Sequence, residues 1–270
     1  MIKNFNGYEI VETITGRLGN EIVRCKNKSG QIFFLKTGHG LAAKALKQEF
    51  LALKYLSDKK INIPKIIDFN YKNNIAQLLI TNVQGISSHK LKDSLDKEII
   101  LQKTAEALKK FHQINKVKAD HLTTIEKDLA EIEKYLSLDV INVENFMANN
   151  EGKSPKQIFE YLCRLKQKHD KDSMTHGDYC LPNLLLDGES FGFIDLGDCG
   201  PGDKYKDLSS IEGSIKRNFG SEWIDVFYKY YDPLIKVDRE KIIYYQLIDQ
   251  FDYHLNIEKY NNLHRINGGV

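Results

Sequence analysis

The chain has 270 residues, of which 41% are hydrophobic, 28% charged and 10% aromatic, with only 5 Pro, a composition that excludes disordered, collagenous and low-complexity proteins and leaves one large or two modest globular domains. No apolar run approaches the roughly 18 to 20 residues needed to cross a bilayer, and the opening Met1-Ile2-Lys3-Asn4-Phe5-Asn6 lacks the basic segment and apolar stretch of a secretory signal, so no membrane partner and a cytoplasmic location are expected. The net charge of +2 hides a division: residues 1–85 carry 13 Lys/Arg against 6 Asp/Glu and residues 120–212 carry 10 against 19, which suits an anionic ligand such as a nucleotide on the first part and a cationic one on the second.

The first third reads as strands around one helix. Tyr8–Glu12 and Glu21–Cys25 alternate in strand fashion, and Lys28-Ser29-Gly30 turns the chain into a strand over Gln31–Lys36. Side chains alternate with period two, so Ile32, Phe34 and Lys36 share a face. A helix over about 41–57 places Leu46, Glu49, Leu53 and Leu56 on one stripe. Glu49 therefore stands where an apolar residue belongs, and its position asks for a partner. Pro64–Phe69, a turn at Asn73-Asn74 and Ile75–Ile80 read as a hairpin, and Gly85 is the expected boundary between a first domain, 1–85, and a second, 86–270.

Helical periodicity dominates from there: 96–114, 123–137 and 155–169, the last opened by Ser154 as N-cap, Pro155 at the first helical position and Gln157 completing a capping box. Two short strands flank a turn at Asp187-Gly188, and helices resume from about 205. Cys25, Cys163, Cys180 and Cys199 are scattered without metal-binding or redox spacing, so they read as reduced thiols, and His112 reads as a packing or surface residue. The architecture expected is α+β, a small sheet-rich lobe and a larger helical lobe with a cleft between them.

The chemistry concentrates in His176-Gly177-Asp178-Tyr179-Cys180-Leu181-Pro182-Asn183 and in Gly192-Phe193-Ile194-Asp195. Phosphoryl transfer needs a carboxylate for the attacking hydroxyl and oxygen ligands that hold Mg²⁺ against nucleotide phosphates. Asp178 can supply the first, Asn183 and Asp195 the second, and a hairpin turning at Asp187-Gly188 lets the two ligands converge. The four identities His176, Asp178, Asn183 and Asp195 at fixed spacings arise by chance on the order of once in 10⁵ windows.

In these residues the chain resembles the aminoglycoside phosphotransferases, most closely the 3′-phosphotransferase (kanamycin kinase) branch, whose fold is similar to that of protein kinases. The resemblance runs in outline from about residue 10 to 252 and continues through Gly202-Asp203-Lys204-Tyr205-Lys206-Asp207-Leu208. It implies a bilobal protein-kinase-like fold, ATP or GTP and Mg²⁺ as cofactors, Asp178 as catalytic base, and Asn183 and Asp195 as metal ligands. Lys36 and Glu49 match the pair that holds the α/β-phosphates, although by themselves they also read as a structural salt bridge. Thr15-Gly16-Arg17-Leu18-Gly19-Asn20 resembles the nucleotide-covering loop, with Gly16 and Gly19 letting backbone N–H groups approach phosphate. Asn82 and Val83 match the hinge that meets the purine edge, and His176 matches a histidine that supports the catalytic loop.

On the acceptor side Val143-Glu144-Asn145-Phe146 resembles the family's substrate loop, and Tyr244–Phe251 its C-terminal ending, which makes Glu144, Asn145 and Asp249 candidate contacts to a polycationic aminoglycoside. Three departures stand out: Asp198 where an arginine is usual, Arg217 at the place of a glutamate, and Gln250 at the place of a second terminal acid. Asp198 offers a replacement carboxylate. The chain also continues past Phe251, where the family ends. A kinase of the same fold with another small hydroxyl substrate, and a nucleotide-binding regulatory pseudokinase, are the competing readings; the intact set Lys36, Glu49, Asp178, Asn183 and Asp195 argues against the latter. No nucleic-acid partner is expected, for want of a basic-aromatic motif, and the chain is expected to be a monomer or weak dimer.

Overall fold

In the computed structural model, which describes residues 7–119 and 121–267, the first third of the chain pairs as an antiparallel sheet around one helix. The opening segment read above for a targeting signal lies outside the described residues. Strands β1 (Glu9–Thr15), β2 (Glu21–Lys26) and β3 (Ile32–His39) follow one another, α1 (Leu41–Leu56) comes next, and β4 (Ile66–Lys72) and β5 (Ile75–Thr81) close the sheet in the order β1-β2-β3-β5-β4. The β4–β5 connection is the two residues Asn73 and Asn74, both at positive φ (53° and 59°), the conformation a tight hairpin requires and one that asparagine tolerates. Val23, Cys25, Phe33, Leu35 and Leu79 pack together, while Ala43 and Leu46 of α1 meet Ala76 with Phe69 alongside.

The remainder is mostly helical. It contains β6 (Ile86–Ser87), α2 (Lys97–His112), α3 (Ile125–Ser137), α4 (Val143–Asn149), α5 (Pro155–Leu165), β7 (Ser173–Thr175), β8 (Leu184–Asp187), β9 (Ser190–Phe193), β10 (Gly200–Gly202), α6 (Tyr205–Asn218), α7 (Ile224–Tyr231), α8 (Arg239–Tyr253) and α9 (Ile257–Asn267). Asp96 caps α2 by accepting from Glu98 N–H at 2.7 Å. The capping box of Ser154 and Gln157 forms on α5 as its sequence dictates. That helix ends at Leu165, and the expected continuation to 169 is instead a 3₁₀ turn over Lys166–Lys168.

The chain divides into two compact units. One gathers the chain through Gln84, then Gly192–Asp198, then the segment from Ile257 on; the other holds Gly85–Phe191 and Cys199–Asn256. After the first crossing, between Gln84 and Gly85, two later segments return to the first unit. The return at 192–198 has a steric signature: a Cβ on Gly192 would stand 2.4 Å from Val83 Cγ1, and Phe193 N–H donates to Asn62 O at 2.9 Å. Gly85, at φ 124°, approaches β8 so closely that a Cβ would meet Leu186 O at 2.9 Å. No helix among the described residues is long and apolar enough to cross a membrane.

Candidate active site

In the first unit Lys36 is the centre. It sits in β3 opposite Ile22 of β2 and Leu78 of β5, and is 8% exposed. Its Nζ donates to Glu49 Oε1 at 2.7 Å and Oε2 at 3.0 Å, and to Asp195 Oδ1 at 2.5 Å. Glu49 reaches it from the buried stripe of α1, flanked by Leu46 and Leu53 as the periodicity requires. Burial alone would pull the lysine down, but the carboxylates of Glu49 and Asp195 outweigh it and hold the ammonium well above its ordinary value. Glu49 is pushed up by burial, opposed by Lys36 and reinforced by Asp195 and Asp198. One ammonium thus serves two carboxylates, the buried Glu49 and Asp195, whose side chain is 53% exposed.

Asp195 adopts φ 56° just past β9, a left-handed conformation that costs a non-glycine residue on the order of 1 kcal/mol. In that conformation its carboxylate accepts from Lys36 Nζ. Asp198, three residues on, is exposed.

The turn between β1 and β2 is tightly closed. Gly16 N–H donates to Asn20 O at 2.7 Å and Gly19 N–H to Gly16 O at 3.0 Å, with Gly19 at φ 75°. These two N–H groups, expected to face phosphate, are engaged within the turn, so the glycines serve the hairpin geometry here. At the end of β5, Asn82 N–H donates to Ile32 O at 3.2 Å, so that N–H is engaged within the sheet. Val83 is buried.

In the second unit the segment His176–Asn183 is held by hydrogen bonds from four directions. The carboxylate of Asp207, fully buried on α6, accepts from His176 N–H and Gly177 N–H at 2.8 Å each. The Nε2 of His112 donates to the same carboxylate at 2.9 Å, and Tyr231 OH lies 2.9 Å from the other ring nitrogen. Burial would raise Asp207, yet His112, with the His176 side chain and backbone N–H, holds it below the usual carboxylate range. Tyr179 OH donates to Thr104 O at 2.7 Å, Ser214 Oγ accepts from Leu181 N–H at 3.0 Å, and Ser87 and Ser88 donate to Pro182 O and Leu181 O at 2.6 Å each.

From this frame Asp178 projects as an exposed side chain beside buried Asn183. Asn183 Nδ2 donates to Asp178 Oδ2 and to Asp178 O, both at 3.0 Å, so its carboxamide oxygen is the atom left for a cation. The ring of His176, fully buried, lies 5.5 Å from Phe111 and 5.8 Å from Tyr179. His112 is therefore not the packing or surface residue expected. Its signal was present: it follows Leu108 by four and Ala105 by seven on the buried stripe of α2, the same argument that exposed Glu49.

The two acceptor-side stretches come together. The expected substrate loop is a helix, α4, whose N-cap Asn142 accepts from Asn145 N–H at 3.1 Å. Phe146 of α4 packs 4.9 Å from Phe251 of α8, and Asn142 N–H donates to His254 O at 2.8 Å. Glu144 and Asn145 are exposed on α4, and Asp249 is half-buried on α8. A cavity of about 630 Å³ on this face, lined by Asn149, Glu151, Lys153, Gln157, Arg164 and Gln250 among others, contains none of the candidate acids. Arg217, on α6, is exposed. No cluster of metal-binding His, Cys, Asp and Glu side chains occurs among the described residues, and the four cysteines are free thiols.

Known proteins share this fold. The model of the phosphotransferase enzyme family APH matches residues 10–242. An aminoglycoside 3′-phosphotransferase of Enterococcus faecalis is 30% identical over 197 residues, covering 71% of this chain and 73% of its own. The crystal structure of a type VIII aminoglycoside 3′-phosphotransferase superposes with a TM-score of 0.77 at 21% identity, covering 91% of this chain and 94% of that one. A Streptomyces rimosus aminoglycoside phosphotransferase, solved with ADP and streptomycin, superposes with a TM-score of 0.69 at 22% identity over 87% of this chain and 93% of that one. The fold is thus the kinase-like α+β fold of these enzymes. The chain belongs to the aminoglycoside phosphotransferase family of phosphotransferase enzymes.

Proposed function

We propose that the chain transfers the γ-phosphoryl group of a purine nucleoside triphosphate, ATP or GTP, to a hydroxyl of an aminoglycoside, with the 3′ hydroxyl as the acceptor position. The observation that carries the reading is the buried Lys36 ammonium held by Glu49 and Asp195. Catalysis of phosphoryl transfer is mainly positioning and charge neutralisation. Lys36, kept protonated by its two carboxylates, meets the α/β-phosphates, while the Asn82 carbonyl and the backbone of Val83 meet the purine edge. Gly16 and Gly19 shape the turn that covers the nucleotide.

Asp178 orients the acceptor hydroxyl and takes its proton as the oxygen–phosphorus bond forms and the bond to the β-phosphate oxygen breaks. Its carboxylate is steadied by Asn183 Nδ2. Asp195, a half-exposed carboxylate, and Asn183, through its carboxamide oxygen, are each a hard oxygen donor of the kind that would hold Mg²⁺. When bound, that ion neutralises phosphate charge. The exposed Glu144, Asn145 and Asp198 and the half-buried Asp249 offer three carboxylates and an amide to the ammonium groups of the acceptor. The named activity of the Enterococcus relative supports an aminoglycoside acceptor, and the ADP complex of the Streptomyces protein supports the nucleotide.

A coupled assay of nucleotide turnover across kanamycin, neomycin and other aminoglycosides tests the proposal. Stimulation by at least one 3′-hydroxylated aminoglycoside is expected. Stimulation only by some other small alcohol would overturn the acceptor, and no nucleotide binding at all would overturn the whole reading.

A further inference from the structure

Helix α1 begins without the groups that ordinarily finish a helix N-terminus. Its N-cap is Gly40, at φ 56°, which has no side chain to accept from the first N–H groups. Its first turn, Leu41-Ala42-Ala43-Lys44, holds no acid and sets a cation at the positive end of the helix dipole. Both deficits are met by α9, more than 200 positions further along the chain and part of the same compact unit.

The carboxamide oxygen of Asn261 accepts from Leu41 N–H at 3.1 Å, standing in as the missing cap. The hydroxyl of Tyr260, a fully buried residue, accepts from Lys44 Nζ at 2.6 Å, and the ammonium lies 5.2 Å from the ring centre. Gly40 is fitted to this contact: a Cβ there would stand 2.2 Å from Asn261 Oδ1. Glu49 lies about two turns further along the same helix, roughly 12 Å from Leu41.

We infer that α9 is a positioning element for the Lys36–Glu49 pair: Asn261 and Tyr260 fix the first turn of α1, and with it the place of Glu49 against Lys36. Its consequence for turnover rests on the nucleotide role proposed above for that pair. Because α1 is continuous from Leu41 to Leu56, a loosened first turn lets the helix shift or fray, and the bidentate contact at Glu49 loosens with it.

The test uses the full chain with Asn261→Ala, Asn261→Asp and Tyr260→Phe. ATP affinity is read by calorimetry, turnover with kanamycin by coupled assay, and amide exchange of α1 by mass spectrometry. Asn261→Ala should weaken ATP binding and raise the ATP KM about 5-fold, the scale of a lost cap, with the kanamycin KM unchanged and exchange faster from Leu41 through Glu49. Asn261→Asp keeps an acceptor for Leu41 N–H and should restore wild-type behaviour. Tyr260→Phe keeps the ring and removes only the acceptor for Lys44, and should give a smaller loss of the same kind. The inference is overturned if Asn261→Ala lowers thermal stability while ATP affinity stays unchanged, or if Asn261→Asp is as impaired as Asn261→Ala. A wild-type chain that binds ATP yet phosphorylates no aminoglycoside would remove the acceptor reading and leave the α9 result standing on affinity and exchange. Failure of the wild type to bind ATP would remove both.

Discussion

At the scale of single residues the proposed chemistry rests on three side chains, and each has a distinguishable signature. Lys36 is buried between two carboxylates, so replacing it strands Glu49 without its cation, a loss of about 3 to 5 kcal/mol for a buried pair. Lys36→Ala should therefore raise the nucleotide KM and lower stability together, whereas Asp195→Ala, at a half-exposed carboxylate, should abolish turnover with little change in denaturant midpoint. Steady-state kinetics and urea titration of the two variants separate these effects. Asp178→Asn keeps the shape of the loop and a partner for Asn183 but loses the proton acceptor. It should leave the nucleotide affinity near wild type and lower kcat by at least about 10²-fold; activity within a few-fold of wild type would refute the assignment.

At the scale of elements, the structure separates what local pattern reveals from what it hides. Glu49 is legible because a carboxylate at helical spacing among Leu46, Leu53 and Leu56 demands a partner, and the cap of α5 is legible because all its parts lie within four residues. The Asp207 frame is not, since the residues that meet there come from α2, α6, α7 and the loop after β7, and only packing brings them together. The same holds for Asn261 at the start of α1. Helix α4 was hidden by its brevity, seven residues being too few to show a period. The Asp207 frame carries its own prediction. Asp207→Ala would leave two buried backbone N–H groups without an acceptor, at a cost of about 2 to 5 kcal/mol. Chemical denaturation should register that loss, and kcat should fall even in the fraction that stays folded.

The acids of α4 and α8 proposed to meet the acceptor give a second expectation. Each carboxylate–ammonium contact contributes on the order of 1 to 3 kcal/mol when partly desolvated, so Glu144→Ala and Asp249→Ala should raise the aminoglycoside KM about 10-fold or more while changing kcat less. With Gln250 and Arg217 in place of acids, aminoglycosides should bind more weakly, and in narrower variety, than their several amines would otherwise permit. Broad, tight use of a panel would contradict that expectation.

At the scale of the whole molecule, acid stability follows from buried carboxylates. Asp203 accepts from Lys241 Nζ at 2.7 Å and from the N–H groups of Tyr205 and Asp170, with His169 beside it. Burial would raise it, but those partners bring it down to about 2 from the ordinary 3.8. A group depressed on folding binds fewer protons in the native state, so its contribution is complete above about pH 4 and is lost as pH falls through 2. That contribution amounts to about 2 kcal/mol. Asp203→Asn should be destabilised by roughly that much at neutral pH, and the gap to wild type should close between pH 4 and pH 2 in urea titrations. A gap independent of pH would show that the carboxylate charge is not what holds Lys241.

The central claim is transfer of a phosphoryl group to an aminoglycoside with Asp178 as the base. The most direct measurement incubates the chain and its Asp178→Asn variant with MgATP and kanamycin, and identifies the modified hydroxyl by mass spectrometry and ³¹P NMR. The account predicts kanamycin phosphate bearing its phosphoryl group on the 3′ hydroxyl from the wild type, and at least about 10²-fold less from the variant. Unmodified kanamycin alongside phosphorylation of a different small alcohol would contradict it, as would equal product from the two proteins.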